Sequence, residues 1–177
     1  MKKRLDKKYQ AREQALKANR EIVPLCASAI RLVQKKQFKS AMKESNKIEQ
    51  KIRAIERILK NYPDITNTVL GAAYQEYAEL AIYLNFIEKK SLPALSVPPK
   101  YYMTGLGDAI GELKRYALEL VSEGKDKEAK DLYEKLEDLY VEFASLTYPN
   151  SIVPGLKHKQ DTARKILNDL RERVLLK

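Results

Sequence analysis

VLGAAYQEYAELAIYLNFI, residues 69–87, is the stretch on which the fold turns. Val69, Leu70, Ala73, Leu80, Ile82, Leu84, Phe86 and Ile87 would cover most sides of a helix of 3.6 residues per turn, with no sustained alternation to suggest a strand. A helix that is apolar on so much of its surface belongs at the centre of a fold. The turn Asn61-Tyr62-Pro63-Asp64 should start it, with Asp64 or Thr66 capping the free amides, and it should run to about Lys90.

The same periodicity extends outward in both directions and gives about six helices. The first spans about Leu5 to Gln34, with Pro24 expected to kink or divide it, because proline removes a hydrogen bond and crowds the preceding turn. The second, about Phe38 to Lys60, carries Ala41, Ile48, Ile52, Ile55 and Leu59 on one stripe. After a proline-rich connection over 91–100, the fourth begins near Thr104 and runs to about Glu123, where Gly124 is placed to end it. A fifth covers about Asp126 to Leu146 and a last one about Leu156 to Leu175. With 6 Gly, no Trp and 44% hydrophobic residues in 177, the chain reads as all-α, a single helical domain over residues 1–177. No fixed period marks tandem repeats.

The charge is segregated. Residues 1–60 hold 18 basic against 6 acidic side chains, residues 61–154 hold 9 against 15, and residues 155–177 hold 7 against 3. The net charge of +10 therefore hides basic flanks around an acidic middle, a distribution suited to a polyanionic partner. Candidate phosphate contacts are Arg20, Arg31, Lys36, Lys39 and Lys43 in the first block and Lys157, Lys159 and Arg164 in the last, with Arg20 or Arg31 alternatively supporting the acidic centre. Such contacts give affinity without sequence choice. For any single lysine, a solvated face is the competing reading. Tyr74, Tyr77, Tyr101 and Tyr102 have the rings to stack on unpaired bases, with core packing the commoner use of a tyrosine.

The single cysteine, Cys26, lies in an apolar run and reads as a core thiol. The charged N-terminus argues against a secretory signal, and no apolar run approaches the roughly 20 residues of a membrane span. A cytoplasmic protein with no membrane partner is the expectation.

Several catalytic routes are closed by the inventory. One histidine, His158, rules out a two-imidazole acid and base within one chain, and no G-x-S-x-G elbow is present. The glycines Gly105, Gly107 and Gly111 lack the spacing and the preceding strand of a dinucleotide fingerprint, so close approach of a helix or a phosphate backbone is their better reading. Carboxylates remain. Glu76 and Glu79 stand three apart on the third helix, and Asp108 and Glu112 four apart on the fourth, so each pair shares a face. Packed side by side, the two helices would bring four carboxylates together, a hard oxygen donor set suited to Mg²⁺ or Mn²⁺. The alternative is that they pair with basic residues of neighbouring helices.

Four segments resemble the translin and translin-associated factor X family, in particular its single-chain archaeal-type members. They are Arg20-Glu21-Ile22 with Ser28-Ala29-Ile30-Arg31, Gln75-Glu76-Tyr77-Ala78-Glu79, Gly107-Asp108-Ala109-Ile110-Gly111-Glu112-Leu113, and the run from Gly155 to Arg164. The resemblance implies an antiparallel bundle of about seven helices that assembles into a hollow homo-octamer and binds single-stranded RNA or DNA. It also implies that Glu76, Glu79 and Asp108 are the metal-binding residues of a ribonuclease, with Glu112 beside them as a further ligand or general base. Translin itself lacks that acidic set, so a non-catalytic binding and assembly protein is the rival expectation.

Overall fold

A computed structural model of the chain describes residues 1–89 and 91–175. Among these residues there are seven α-helices and no strand: α1 (Lys2–Gln34), α2 (Phe38–Leu59), α3 (Pro63–Val69), α4 (Gly71–Lys89), α5 (Pro99–Ser122), α6 (Asp126–Ser145) and α7 (Leu156–Leu175). α4 is the hub. It is buried at ten positions distributed around its circumference and packs against α1, α2 and α5. α5 continues the bundle to α6 and α7.

The outer helices bury one stripe each. On α1 the buried set Ala11, Ala15, Ile22, Cys26, Ala29, Ile30 and Val33 follows the three-and-four spacing of one helix face. On α2 the set is Ala41, Ser45, Ile48, Ile52, Ile55 and Leu59. Residues 35–37 fold α2 back antiparallel to α1, which sets Lys51 beside Glu21 at 3.5 Å.

Three expectations need correcting. Of the two outcomes expected at Pro24, a kink or a division, division does not occur: α1 runs as one helix from Lys2 to Gln34. Ile22 and Cys26 on either side of it are fully buried, and their packing outweighs the one lost hydrogen bond. The third helix is two, α3 and α4, interrupted at Leu70. The break has a long-range cause. Gly71 sits against the Tyr101 ring of α5, where a Cβ would lie 2.7 Å from the phenol oxygen, and Asn19 of α1 accepts the Ala73 amide at 2.9 Å, capping the new start. The cap expected at Asp64 or Thr66 is absent. Thr66 instead donates back to the Tyr62 carbonyl at 3.2 Å, and Asp64 pairs with Lys8 of α1. Lys90, the expected end of this element, lies outside the described residues. α5 begins five residues before Thr104, with Pro99 in its first turn.

Candidate carboxylate site at the crossing of α4 and α5

Two glycines of α5 determine how the site is assembled. At Gly105 the helix touches α4: a Cβ there would meet the Gln75 carbonyl at 2.7 Å, the Ala78 Cβ at 2.8 Å and the Glu79 amide at 2.9 Å. Two residues on, and so on the opposite side of α5, Gly107 admits α7, and a Cβ would lie 2.7 Å from that of Lys159. The backbones of α4, α5 and α7 are thereby drawn together around Asp108. Gly111 is looser, with only Ile166 at 4.0 Å.

Glu76, Glu79, Asp108 and Glu112 are all half-buried at this crossing. Their charges are felt mutually. Burial, then Asp108, Glu76 and Glu112, push the Glu79 carboxyl up to about 8, with Lys159 opposing. Burial and then Asp108 raise that of Glu76. Cys26 faces the same pair from α1, and its thiol is pushed up to about 12 by burial first and then by Glu76 and Glu79, as suits a core thiol rather than a nucleophile.

The four carboxylates differ in their partners. Asp108 is engaged through both oxygens: its Oδ2 accepts from Gln75 Nε2 at 2.9 Å and its Oδ1 from the Lys159 ammonium. Glu112 accepts from Gln34 Nε2 of α1 at 2.8 Å, and Arg115 lies 3.7 Å from its other oxygen. Among the described residues, neither Glu76 nor Glu79 makes a hydrogen bond or an ion pair. Because Asp108 and Glu112 turn to other donors, no three of these side chains form a ready metal-ligand group among the described residues. The four carboxylates thus lie at one crossing as an unpartnered pair, Glu76 and Glu79, flanked by two engaged ones, Asp108 and Glu112. That pair and its neighbours are an all-oxygen donor set, the kind a hard divalent cation takes, and such a cation would displace the proton that Glu79 retains.

The basic residues sort into two groups. Arg20, Arg31, Lys39 and Lys43 are exposed and form no ion pair among the described residues. Lys157 and Arg164 are exposed beside Asp161, at 3.2 and 3.6 Å, and Lys36 pairs with Glu123, the residue that caps the C-terminus of α5. Lys159 is the exception: it points into the acidic crossing rather than to the surface. Tyr74 and Tyr77 are buried, Tyr74 donating to Glu56 at 2.7 Å and stacking on Tyr101, so these two serve the core. Tyr102 donates to the Pro93 carbonyl at 2.8 Å. His158 is exposed. The roles of Gln34 and Gln75 leave no mark in the sequence, since a glutamine gives no signal until its partner on another helix is known.

A family model described as the Translin family matches residues 76–174, a span that begins at Glu76 and includes Asp108, Glu112 and Lys159. The chain belongs to the translin family. An uncharacterised protein of Methanocaldococcus jannaschii is 32% identical over 169 residues, 92% of this chain and 74% of that protein. Among solved structures, the crystal structure of AfC3PO matches with a TM-score of 0.89 at 30% identity, over 99% of this chain and 93% of that one. The complex of AfC3PO with duplex RNA matches with 0.88 at 29% identity, over the same shares of the two chains. Apo-NeC3PO, at 24% identity and a TM-score of 0.85 over 99% and 94%, shares the translin-like fold. Among the described residues no helix is long and apolar enough to cross a membrane.

Proposed function

We propose that this translin-family protein is a metal-dependent endoribonuclease that binds RNA through its basic helices and cleaves it at the α4–α5 crossing. The observation that carries the reading is the pair Glu76 and Glu79, half-buried, unpartnered and facing Asp108. Two carboxylates held in this way cost stability, and a site that keeps them has a use for their charge. The solved AfC3PO complex with duplex RNA, at 29% identity, supports RNA as the partner. Single-stranded RNA is the proposed substrate, with single-stranded DNA as a further ligand.

Glu76, Glu79 and Asp108 would hold Mg²⁺ or Mn²⁺, which when bound supplies an activated water and offsets charge developing on the phosphate. The chain's own residues do the rest. Gln75 orients Asp108 through the Oδ2 hydrogen bond, and Gln34 ties Glu112 to α1, so Glu112 acts as an anchor of the crossing rather than as a free base. Arg20, Arg31, Lys39 and Lys43 present unpaired positive charge to the RNA backbone, with Lys157 and Arg164 on α7 adding a second, partly neutralised patch. The protein acts as a homo-oligomer, an octamer, in the cytoplasm, as one domain. Exposed Leu5, Tyr9, Val141, Tyr148 and Ile152 supply apolar surface for self-association.

The test is cleavage of labelled single-stranded RNA, duplex RNA and single-stranded DNA in Mg²⁺, Mn²⁺ or EDTA. Wild type and a Glu76→Gln, Glu79→Gln double variant are compared. Metal-dependent products from wild type alone are expected, with binding retained by the variant and a rate loss of at least about 100-fold. The engagement of Asp108 by Gln75 and Lys159 favours a second reading, a binding and assembly protein without turnover. Salt-sensitive binding with no products in any metal establishes that reading instead.

A further inference from the structure

Lys159 is the only lysine or arginine among the described residues that forms an ion pair with one of the four carboxylates from another helix. Its position is built in. α7 lies against the bare Cα of Gly107, where any side chain would strike the Lys159 stem, and about three-quarters of the lysine side chain is buried. The ammonium donates to Asp108 and also lowers the proton affinity of Glu76 and Glu79, so one positive charge serves three negative ones. A surface lysine kept for phosphate contact would not be aimed inward at rest.

We propose that Lys159 is a resident counter-cation that holds Asp108 in the metal-free protein and surrenders it to an incoming divalent ion, so that lysine and metal compete for one carboxylate. The competition rests on the ribonuclease reading above; the counter-cation role does not. A single ammonium leaves the cluster with excess negative charge, which a divalent ion reduces further, so exchange is favourable. Lysine suits such exchange. Its flexible four-carbon stem carries a compact charge that regains hydration on leaving, whereas the planar guanidinium of arginine would grip Asp108 in two places. Lys159 is accordingly a positioning residue, which keeps the carboxylates together until the ion arrives.

The experiment compares wild type with Lys159→Met, which keeps the stem against Gly107 and removes the charge; Lys159→Gln is the second variant should the first fail to fold. Two readouts are free of activity: thermal unfolding in EDTA, and Mn²⁺ binding followed by the paramagnetic resonance of free Mn²⁺ without RNA. In EDTA, Lys159→Met is expected to lower the melting temperature in the wild-type background and to lower it less in an Asp108→Asn background, where only Glu76 and Glu79 remain to face the ammonium. An equal loss in both backgrounds overturns the counter-cation role. Lys159→Met is expected to bind Mn²⁺ about tenfold more tightly, because a competing positive charge has left. Unchanged or weaker Mn²⁺ binding overturns the competition. If wild type binds no Mn²⁺, the ribonuclease reading fails and the competition with it, while the EDTA coupling still decides what Lys159 does for Asp108.

Discussion

At the scale of single residues, the carboxylate crossing sets function against stability. Glu79 has its proton affinity raised by burial and by three neighbouring carboxylates, to about 8 from the usual 4.5. Below about pH 4.5 the group is neutral in both folded and unfolded chains and ionisation costs folding nothing. As pH rises from there through about 8, the unfolded chain releases the proton while the folded one retains it, so stability falls with pH across that window and the full penalty is present above it. Glu79→Gln removes the effect. In EDTA the variant should unfold at nearly the wild-type temperature near pH 4.5 and at a progressively higher one towards pH 9, the gain reaching about 2 kcal/mol once solvent screening is allowed for. A variant less stable than wild type at pH 9 would mean that Glu79 has a favourable partner in solution. The E-x-x-E spacing in the sequence marks these positions. What it does not carry is the difference between Glu76 and Glu79, left bare, and Asp108 and Glu112, each engaged, because Gln34, Gln75 and Lys159 arrive from separate helices or turns.

At the scale of elements, boundaries written in local chemistry were legible and those set by packing were not. The end of α5 at Gly124 and the span of α7 follow from capping and periodicity, whereas the split of α3 from α4 depends on Tyr101 and Asn19, far along the chain, and the continuity of α1 through Pro24 depends on the core. The two helix ends that share Glu123 make the point quantitative. α5 ends with Gly124 at φ 73°, the Gly124 amide bonding to the Val121 carbonyl at 3.1 Å and that of Lys125 to Leu120 at 2.9 Å. α1 ends with the same pattern: Lys36 at φ 58° bonds to Val33 at 2.8 Å, and Gln37 to Leu32 at 2.9 Å. A lysine thus occupies a left-handed position that glycine fills without strain, at a cost of about 1–2 kcal/mol. In return, its side chain reaches Glu123, an exposed and solvent-screened pair of the kind that contributes little. The backbone effect is the larger, so Lys36→Gly should raise the denaturation midpoint, by about 0.5–1 kcal/mol in stability. A lower midpoint in chemical denaturation would show that the Glu123 pair outweighs the backbone strain.

At the scale of the whole molecule, the segregated charge of the sequence becomes geometry. The basic first block forms the α1–α2 hairpin, and the turn of that hairpin stands beside α5: Gln34 reaches Glu112, and Phe38 meets Tyr116 edge-on with ring centroids 6.4 Å apart. Lys39 and Lys43, in the first two turns of α2, therefore sit at the end of the hairpin that abuts the carboxylate crossing, exposed and without ion pairs among the described residues. A strand tracking along them would be led towards Glu112 and the crossing beyond it. The patch on α7 is weaker, since Asp161 lies between Lys157 and Arg164. If phosphate contacts supply the affinity, each one lost from a single strand should reduce the slope of log K against log salt by about 0.7. Lys39→Gln with Lys43→Gln should then weaken binding to single-stranded RNA at low salt and flatten that slope by about 1.4, whereas Lys157→Gln with Arg164→Gln should change it less, because Asp161 already answers part of their charge. The comparison is to be made in EDTA, so that cleavage does not enter the binding measurement. A slope that is unchanged by the α2 pair and flattened by the α7 pair would move the RNA path to the other side of the crossing, over α7, and would remove the reason for the basic charge of the hairpin.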